Sequence, residues 1–266
     1  MGRLAEIRKK IVIECGFIFQ FAIDDFKNKY AGSLLGFAWA FVQPLMIIGI
    51  YWFVFQLGFK SQPVENYPFI LWLISGLIAW FFIGDAISNA TASMLEYSYL
   101  VKKVLFNIMI LPFVKVLSVF FVQTFLVVFC IIVFWLNGFP PNAYYFQIIY
   151  YIAYMMILVT GSIYLTSALY VFFRDLIQIV SVILQLLFWM SPFVWDFNIL
   201  PRNIQTVLKL NPIYYVVKGY RDTFIYHEVF WHDWTSAFYY WAVAIILFAF
   251  GLKVFKKLKP HFADVL

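Results

Sequence analysis

The chain has 266 residues, of which 65% are hydrophobic and 12% charged, with a formal net charge of +6 and a mean hydropathy of +0.88. A soluble domain carries about 25% charged residues. This chain has too little polar surface to cover a water-facing core, so a multi-span membrane domain is the class that remains.

From the N-terminus, Leu4, Ile7, Ile11, Ile18, Phe21 and Phe26 alternate at helical spacing with Arg8, Lys9, Lys10, Asp24 and Lys27. This pattern predicts an amphipathic helix over 1–32, lying on the inner leaflet. Its mixed charge is unlike a cleavable signal segment. Gly32-x-x-x-Gly36 opens the first span, 33–57, and would permit close helix approach. The second span, 68–95, is interrupted by Asp85. A charge there is costly and is expected to line an aqueous path or to cap a break in a neighbouring backbone. Residues 96–107 form a short segment with Tyr97, Leu100, Val101, Val104 and Phe106 beside Lys102 and Lys103. Helical and apolar on one face, it is expected to dock on something.

The third span, 108–136, holds Lys115 near its start, where the ammonium could snorkel to the inner interface. Residues 116–173 contain no Asp, Glu, Lys, Arg or His. That is long enough for two crossings at about 20 residues each. Asn137-Gly138-Phe139-Pro140-Pro141-Asn142 is its only turn-forming patch, so spans 108–136 and 143–173 form a hairpin. A tight loop at Arg174-Asp175 leads into the fifth span, 176–195. Residues 196–233 are apolar but punctuated by Pro201 and Asn211-Pro212. Two short helices joined by a breaker predict a re-entrant hairpin, tolerated at depth only where protein buries it or a cavity wets it. The last span is 234–252, the membrane domain closes at 258, and 259–266 form a tail.

Six spans put both termini on one side. With the termini cytoplasmic, thirteen Lys and Arg lie inside and five outside, which fixes the orientation. The positive charge is thus a topology signal and an attraction to anionic headgroups, not an argument for nucleic acid. No G-x-x-x-x-G-K-[ST] loop is present, so ATP phosphates are not cradled in the usual way. No cofactor is expected in this chain. His227, Glu228, His232 and Asp233 are expected to be a solvated rim, not a metal site. Cys15 and Cys130 suggest no disulfide or metal set. Phe, Tyr and Trp together make up 23% of the chain. Interface belts and packing account for most of them, and the surplus offers flat faces for sugars.

Several motifs, taken in order, resemble the ABC-2 polysaccharide-export permeases. They are Lys29-Tyr30-Ala31-Gly32-Ser33-Leu34-Leu35-Gly36-Phe37-Ala38-Trp39, Gln43-Pro44-Leu45, Gly76-Leu77-Ile78-Ala79-Trp80-Phe81-Phe82, Leu111-Pro112, Phe173-Arg174-Asp175, Ser191-Pro192, Leu210-Asn211-Pro212 and Tyr220-Arg221-Asp222. Ile50-Tyr51-Trp52-Phe53-Val54-Phe55, Ser191-Pro192-Phe193-Val194-Trp195-Asp196 and Tyr220-Arg221-Asp222-Thr223-Phe224 look most like the teichoic acid translocation permeases. One departure is Asn107 after Phe106, where many relatives have Pro.

The resemblance implies an all-α membrane protein of six helices. It also implies a homodimer paired with two ATPase subunits that bind ATP and Mg, so the chain itself is not an enzyme. Glu96, Tyr97, Leu100, Val101, Lys102, Lys103 and Phe106 become the coupling helix that meets the ATPase. Lys27, Lys29 and Arg174 are expected to receive a lipid-diphosphate headgroup, and Asp85 and Trp80 to line the path. Asn211, Pro212, Tyr220, Arg221 and Asp222 form the outer gate. The expected cargo is an undecaprenyl-diphosphate-linked teichoic acid, with O-antigen or capsule as the alternative. A polyprenyl-linked transferase would want several acids or histidines gathered at one membrane face, and the inner face offers only Glu96 and Asp175 beyond the first helix.

Overall fold

The computed structural model describes residues 2–266 except 62, 64, 65 and 103–106; for residues 2–13 and 198 only the backbone is described. The expected α1 runs over Gly2–Lys29. Gly32 and Gly36 then take φ of 84° and 55° in the turn that follows, and a Cβ on either would meet nothing within 4 Å. Within this chain the Gly32-x-x-x-Gly36 pair is therefore not a packing seam. It supplies the left-handed backbone that only glycine adopts without strain.

After this turn come α2 (Trp39–Trp52), with Pro44 inside it, and a π-type extension, Phe53–Gly58. α3 (Phe69–Thr91), the short α4 (Ser93–Glu96) and α5 (Ser98–Val101), and α6 (Ile110–Leu136) follow. α7 (Ile148–Phe172) is entered through a 3-10 turn at Ala143–Gln147. Then come α8 (Leu176–Met190), α9 (Arg202–Leu208), α10 (Pro212–Arg221), α11 (Trp234–Leu258) and α12 (Phe262–Val265).

Five helical runs are long and apolar enough to cross a bilayer among the described residues: Gly36–Gly58, Phe69–Thr91, Ile110–Leu136, Ala143–Phe172 and Trp234–Val265. The expected fifth span falls short. α8 has 15 residues, about 22 Å at 1.5 Å per residue, against a hydrocarbon core of about 30 Å. Pro192 is the cause: it holds Ser191 extended, with ψ at 142°, and a residue before proline avoids the helix. α11 errs the other way, continuing past 252 through Lys253, Lys256 and Lys257, because charge does not stop a helix and no breaker comes before Pro260. Residues 259–266 fold back as well. Phe262 is fully buried, its ring 5.3 Å from Phe255 and 6.0 Å from Phe172.

α3 is the centre of the bundle. Leu71, Leu73, Leu77, Ile78, Ala79, Ala86 and Ala90 on it are fully buried, and it packs against α2, α6, α7, α8 and α10. α7 and α11 form the most extensive pair, and small residues let them approach. A Cβ on Gly161 would lie 2.6 Å from the Phe248 backbone, and one on Gly251 2.1 Å from the Gly161 carbonyl oxygen. α2 and α8 leave broad apolar faces uncovered. Trp39, Met46, Ile50 and Phe53 on the first run, and Val182, Leu186 and Trp189 on α8, are exposed.

Candidate functional site

Three polar places interrupt this apolar bundle. The first joins α1, α4, α5 and α6. Lys115 Nζ lies 2.7 Å from Asp25 Oδ1 and 2.5 Å from Glu96 Oε2, and 5.0 Å from the centre of the Tyr97 ring. The Tyr97 hydroxyl donates to Asp25. Burial first, and then this bond to a carboxylate, push the Tyr97 phenol well above its ordinary value, so it remains a donor. Ser118 Oγ adds a 3.3 Å bond to the Ala22 carbonyl. Lys115 is thus paired at the junction, not merely snorkelling.

Most of the apolar face expected to dock on a partner instead serves this bundle. Val101 is buried with Met94, Leu111 and Phe255, and Leu100 and Tyr97 pack against that cluster. The outward groups are Lys102, which is exposed, and Tyr99, at 59% exposure. Tyr99 was not among the expected site residues. Lys103 and Phe106 lie outside the described residues.

The second place is a cavity of about 340 Å³ between α1, α2, α3 and α6. It is lined by Lys29, Tyr30, Gln43, Asp85, Asn89 and Ser118, with Phe26 and Phe81 among the apolar walls. Asn89 Nδ2 donates to the Asp85 carbonyl at 2.6 Å. Of the residues expected to hold a headgroup or line a path, Lys29 and Asp85 therefore share one cavity. Lys27 and Arg174 are exposed elsewhere, the latter at the turn between α7 and α8. Trp80 packs on Phe188 and Phe193, at 5.4 and 5.2 Å between ring centres.

The third place is the cap formed by residues 191–233, at the end of α3 remote from the junction. Asn211 caps α10 by accepting from Ile213 N at 3.0 Å, and its Nδ2 donates to Ser191 Oγ at 2.8 Å. The Pro212 carbonyl accepts from Tyr154 at 3.1 Å. Tyr220 is fully buried and accepts from Gln123 Nε2 at 3.0 Å. Arg221 donates through Nη2 to the Phe193 carbonyl at 3.0 Å, and its guanidinium carbon lies 3.5 Å from the centre of a Trp72 ring. Gly76 leaves room for it, since a Cβ there would sit 3.1 Å from Nη2. Lys218 bridges Asp222 at 2.8 Å and Glu228 at 3.7 Å. The five residues expected at an outer gate are thus brought together, but Tyr220, Arg221 and Asp222 are all buried fastenings, and Asp222 meets the charged rim of the cap through Lys218. Among the described residues no three His, Cys, Asp or Glu converge as a metal set.

These features describe a helical membrane bundle with polar fastenings at both ends. The ABC-2 type transporter family model matches residues 18–225, so the chain belongs to that family. Two O-antigen export system permease proteins RfbA from Klebsiella pneumoniae are each 28% identical over 264 residues, covering 97% of this chain and 99% of theirs. A third RfbA, from Myxococcus xanthus, is 23% identical over 254 residues, covering 94% of this chain and 95% of its own.

Proposed function

We propose that this protein is the permease subunit of an ATP-driven exporter that carries a lipid-linked, O-antigen-type polysaccharide outward across the cytoplasmic membrane. The observation that carries this reading is the end-to-end likeness to permeases named for O-antigen export. Teichoic acid, the cargo suggested by three short motifs, takes second place, because all three relatives are named for O-antigen export.

In this reading the chain forms a homodimer through the uncovered apolar faces of α2 and α8 and pairs with two ATPase subunits that bind ATP and Mg. The junction and both termini are cytoplasmic, because α8, although short for a full crossing, still carries the chain from the turn after α7 to the cap. Tyr99 and Lys102 meet the ATPase, and the push reaches α1 and α6 through the ion pairs of Lys115. Lys29 receives the diphosphate headgroup at the mouth of the cavity that also holds Asp85, while Lys27 and Arg174 draw anionic headgroups to that face. α9 and α10 form a re-entrant outer gate. The work is mechanical, and this chain makes and breaks no covalent bond.

The test is to purify the tagged chain in mild detergent, identify what accompanies it, and stain for surface polysaccharide in a strain lacking it. A stoichiometric subunit that hydrolyses ATP, together with loss of surface polymer, is expected. A chain that purifies alone from cells with unchanged surface polymer refutes the reading.

A further inference from the structure

The cap contains a second cavity, of about 510 Å³, between the first turns of α3, the 191–197 connection and α10 with its π-type extension. That volume falls in the range of about 300–1,000 Å³ occupied by small-molecule sites. Asp196, Asp222 and Glu228 line it together with Lys218 and Arg221. Tyr226, at 37% exposure, supplies an aromatic wall, and Trp72 lies under the Arg221 guanidinium.

Arg221 is the informative residue. It is 6% exposed and it lines this cavity, yet its Nε has no hydrogen-bond partner among the described residues. Burying a cation with a donor unmatched is costly, and the guanidinium, held by the Phe193 carbonyl and the Trp72 ring, sets its charge against the cavity wall. The rest of the lining says what kind of ligand. Carboxylates accept, the ammonium and guanidinium donate, and an aromatic face stacks. A hydroxyl-rich ring, which donates and accepts at once and has an apolar face, satisfies all three. Three carboxylates against two cations leave a negative balance, which repels a polyanionic chain.

We propose that this cavity is a binding site for uncharged glycosyl units of the exported polymer, holding the chain at the cap as it leaves. The proposal rests on the export reading above and adds a cargo subsite to a segment whose expected role is only that of a gate. Lys218 acts at the centre of the site: paired with Asp222 and Glu228, it sets the spacing of the two carboxylates that accept from sugar hydroxyls.

The test uses the whole exporter in membranes of cells that make the polymer. A photo-crosslinking residue replaces Tyr226 in one strain and Phe81, on the wall of the junction-end cavity, in another. Irradiation should give a glycan-reactive ladder of adducts at both positions. Glu228→Gln should lower the adduct yield at 226 roughly tenfold, the effect of losing one charge-assisted hydrogen bond, and leave the yield at 81 unchanged. Adducts at 81 alone overturn the cap site while export stands. A single small glycolipid adduct at 226 assigns the cavity to a lipid headgroup and overturns the polymer. Equal loss at both positions in Glu228→Gln makes Glu228 structural and overturns its role. Adducts at neither position overturn both the site and the export reading.

Discussion

Lys115→Ala tests the junction most directly. Lys115 and Asp25 are 12% and 5% exposed, so their 2.7 Å pair is screened little by water, whereas Glu96 is 48% exposed. Removing one member of a buried ion pair costs about 3–5 kcal/mol, because the other is left charged and desolvated. A half-exposed pair is worth about 1 kcal/mol or less. Lys115→Ala should therefore cost about 3–5 kcal/mol, Asp25→Asn slightly less, and Glu96→Gln about 1 kcal/mol. At roughly 2–4 °C per kcal/mol for a chain of this size, the first shift is on the order of 10 °C. Lys115→Met with Asp25→Leu removes both charges together and should cost less than the sum of the single changes. Thermal unfolding of the detergent-purified protein, followed by intrinsic fluorescence, reads all four. A Lys115→Ala protein that melts within about 2 °C of the parent, or a Glu96→Gln protein as damaged as Lys115→Ala, would refute the reasoning.

Other outcomes follow from the same packing. Gly251→Val should abolish a stable fold, since even its Cβ would fall 2.1 Å from the Gly161 carbonyl oxygen; a monodisperse protein in size-exclusion chromatography would contradict this. Tyr220→Phe removes the hydroxyl that accepts from Gln123, a side chain whose Oε1 already lacks a partner, and should cost about 1–3 kcal/mol in the same melting assay. Tyr99→Asp and Lys102→Glu change exposed groups and should leave melting unchanged while ATP hydrolysis continues and surface polymer falls; unaltered export would remove both from the ATPase contact. Gly76→Val presses on the guanidinium of Arg221 and should loosen the cap, measured as faster proteolysis within 191–233.

How much of this was readable in the sequence depends on the range of each signal. The bounds of α3, α6 and α7 follow, to within a few residues, from apolar runs between turn residues, which are local. Pro201 and Asn211-Pro212 likewise mark the starts of α9 and α10, and the side chain of Asn211 caps as its type predicts. The end of α8 is legible too, in Ser191-Pro192, although the apolar run continues past it to Trp195. The partner of Lys115 was not legible. Asp25 lies on another helix, and nothing near either residue names the other; the one available signal was that an intramembrane charge requires a counter-ion. The close approach of Gly161 and Gly251 was hidden for the same reason, whereas Gly32 and Gly36, with their familiar spacing, turned out to belong to a turn. The cavity lined by Arg221 depends on a backbone carbonyl of Phe193 and on the absence of a Cβ at Gly76, and side-chain patterns carry neither.

The junction and the cap are linked by one element. α3 has 23 residues, about 35 Å of helix. Near its first turn Trp72 and Gly76 hold Arg221 of the cap, on its flank Asp85 faces the junction-end cavity, and beyond its end Glu96 reaches Lys115. Its face is buried along nearly the whole length, so it cannot bend without disturbing α6 and α7 together. Pro44 in α2 and the short reach of α8 put the irregular backbone on two helices with uncovered apolar faces instead. A displacement entering at α4 and α5 is therefore expected to move α3 as a rod and to reach Arg221 with little loss, while α2 and α8 absorb the change in shape against whatever faces them.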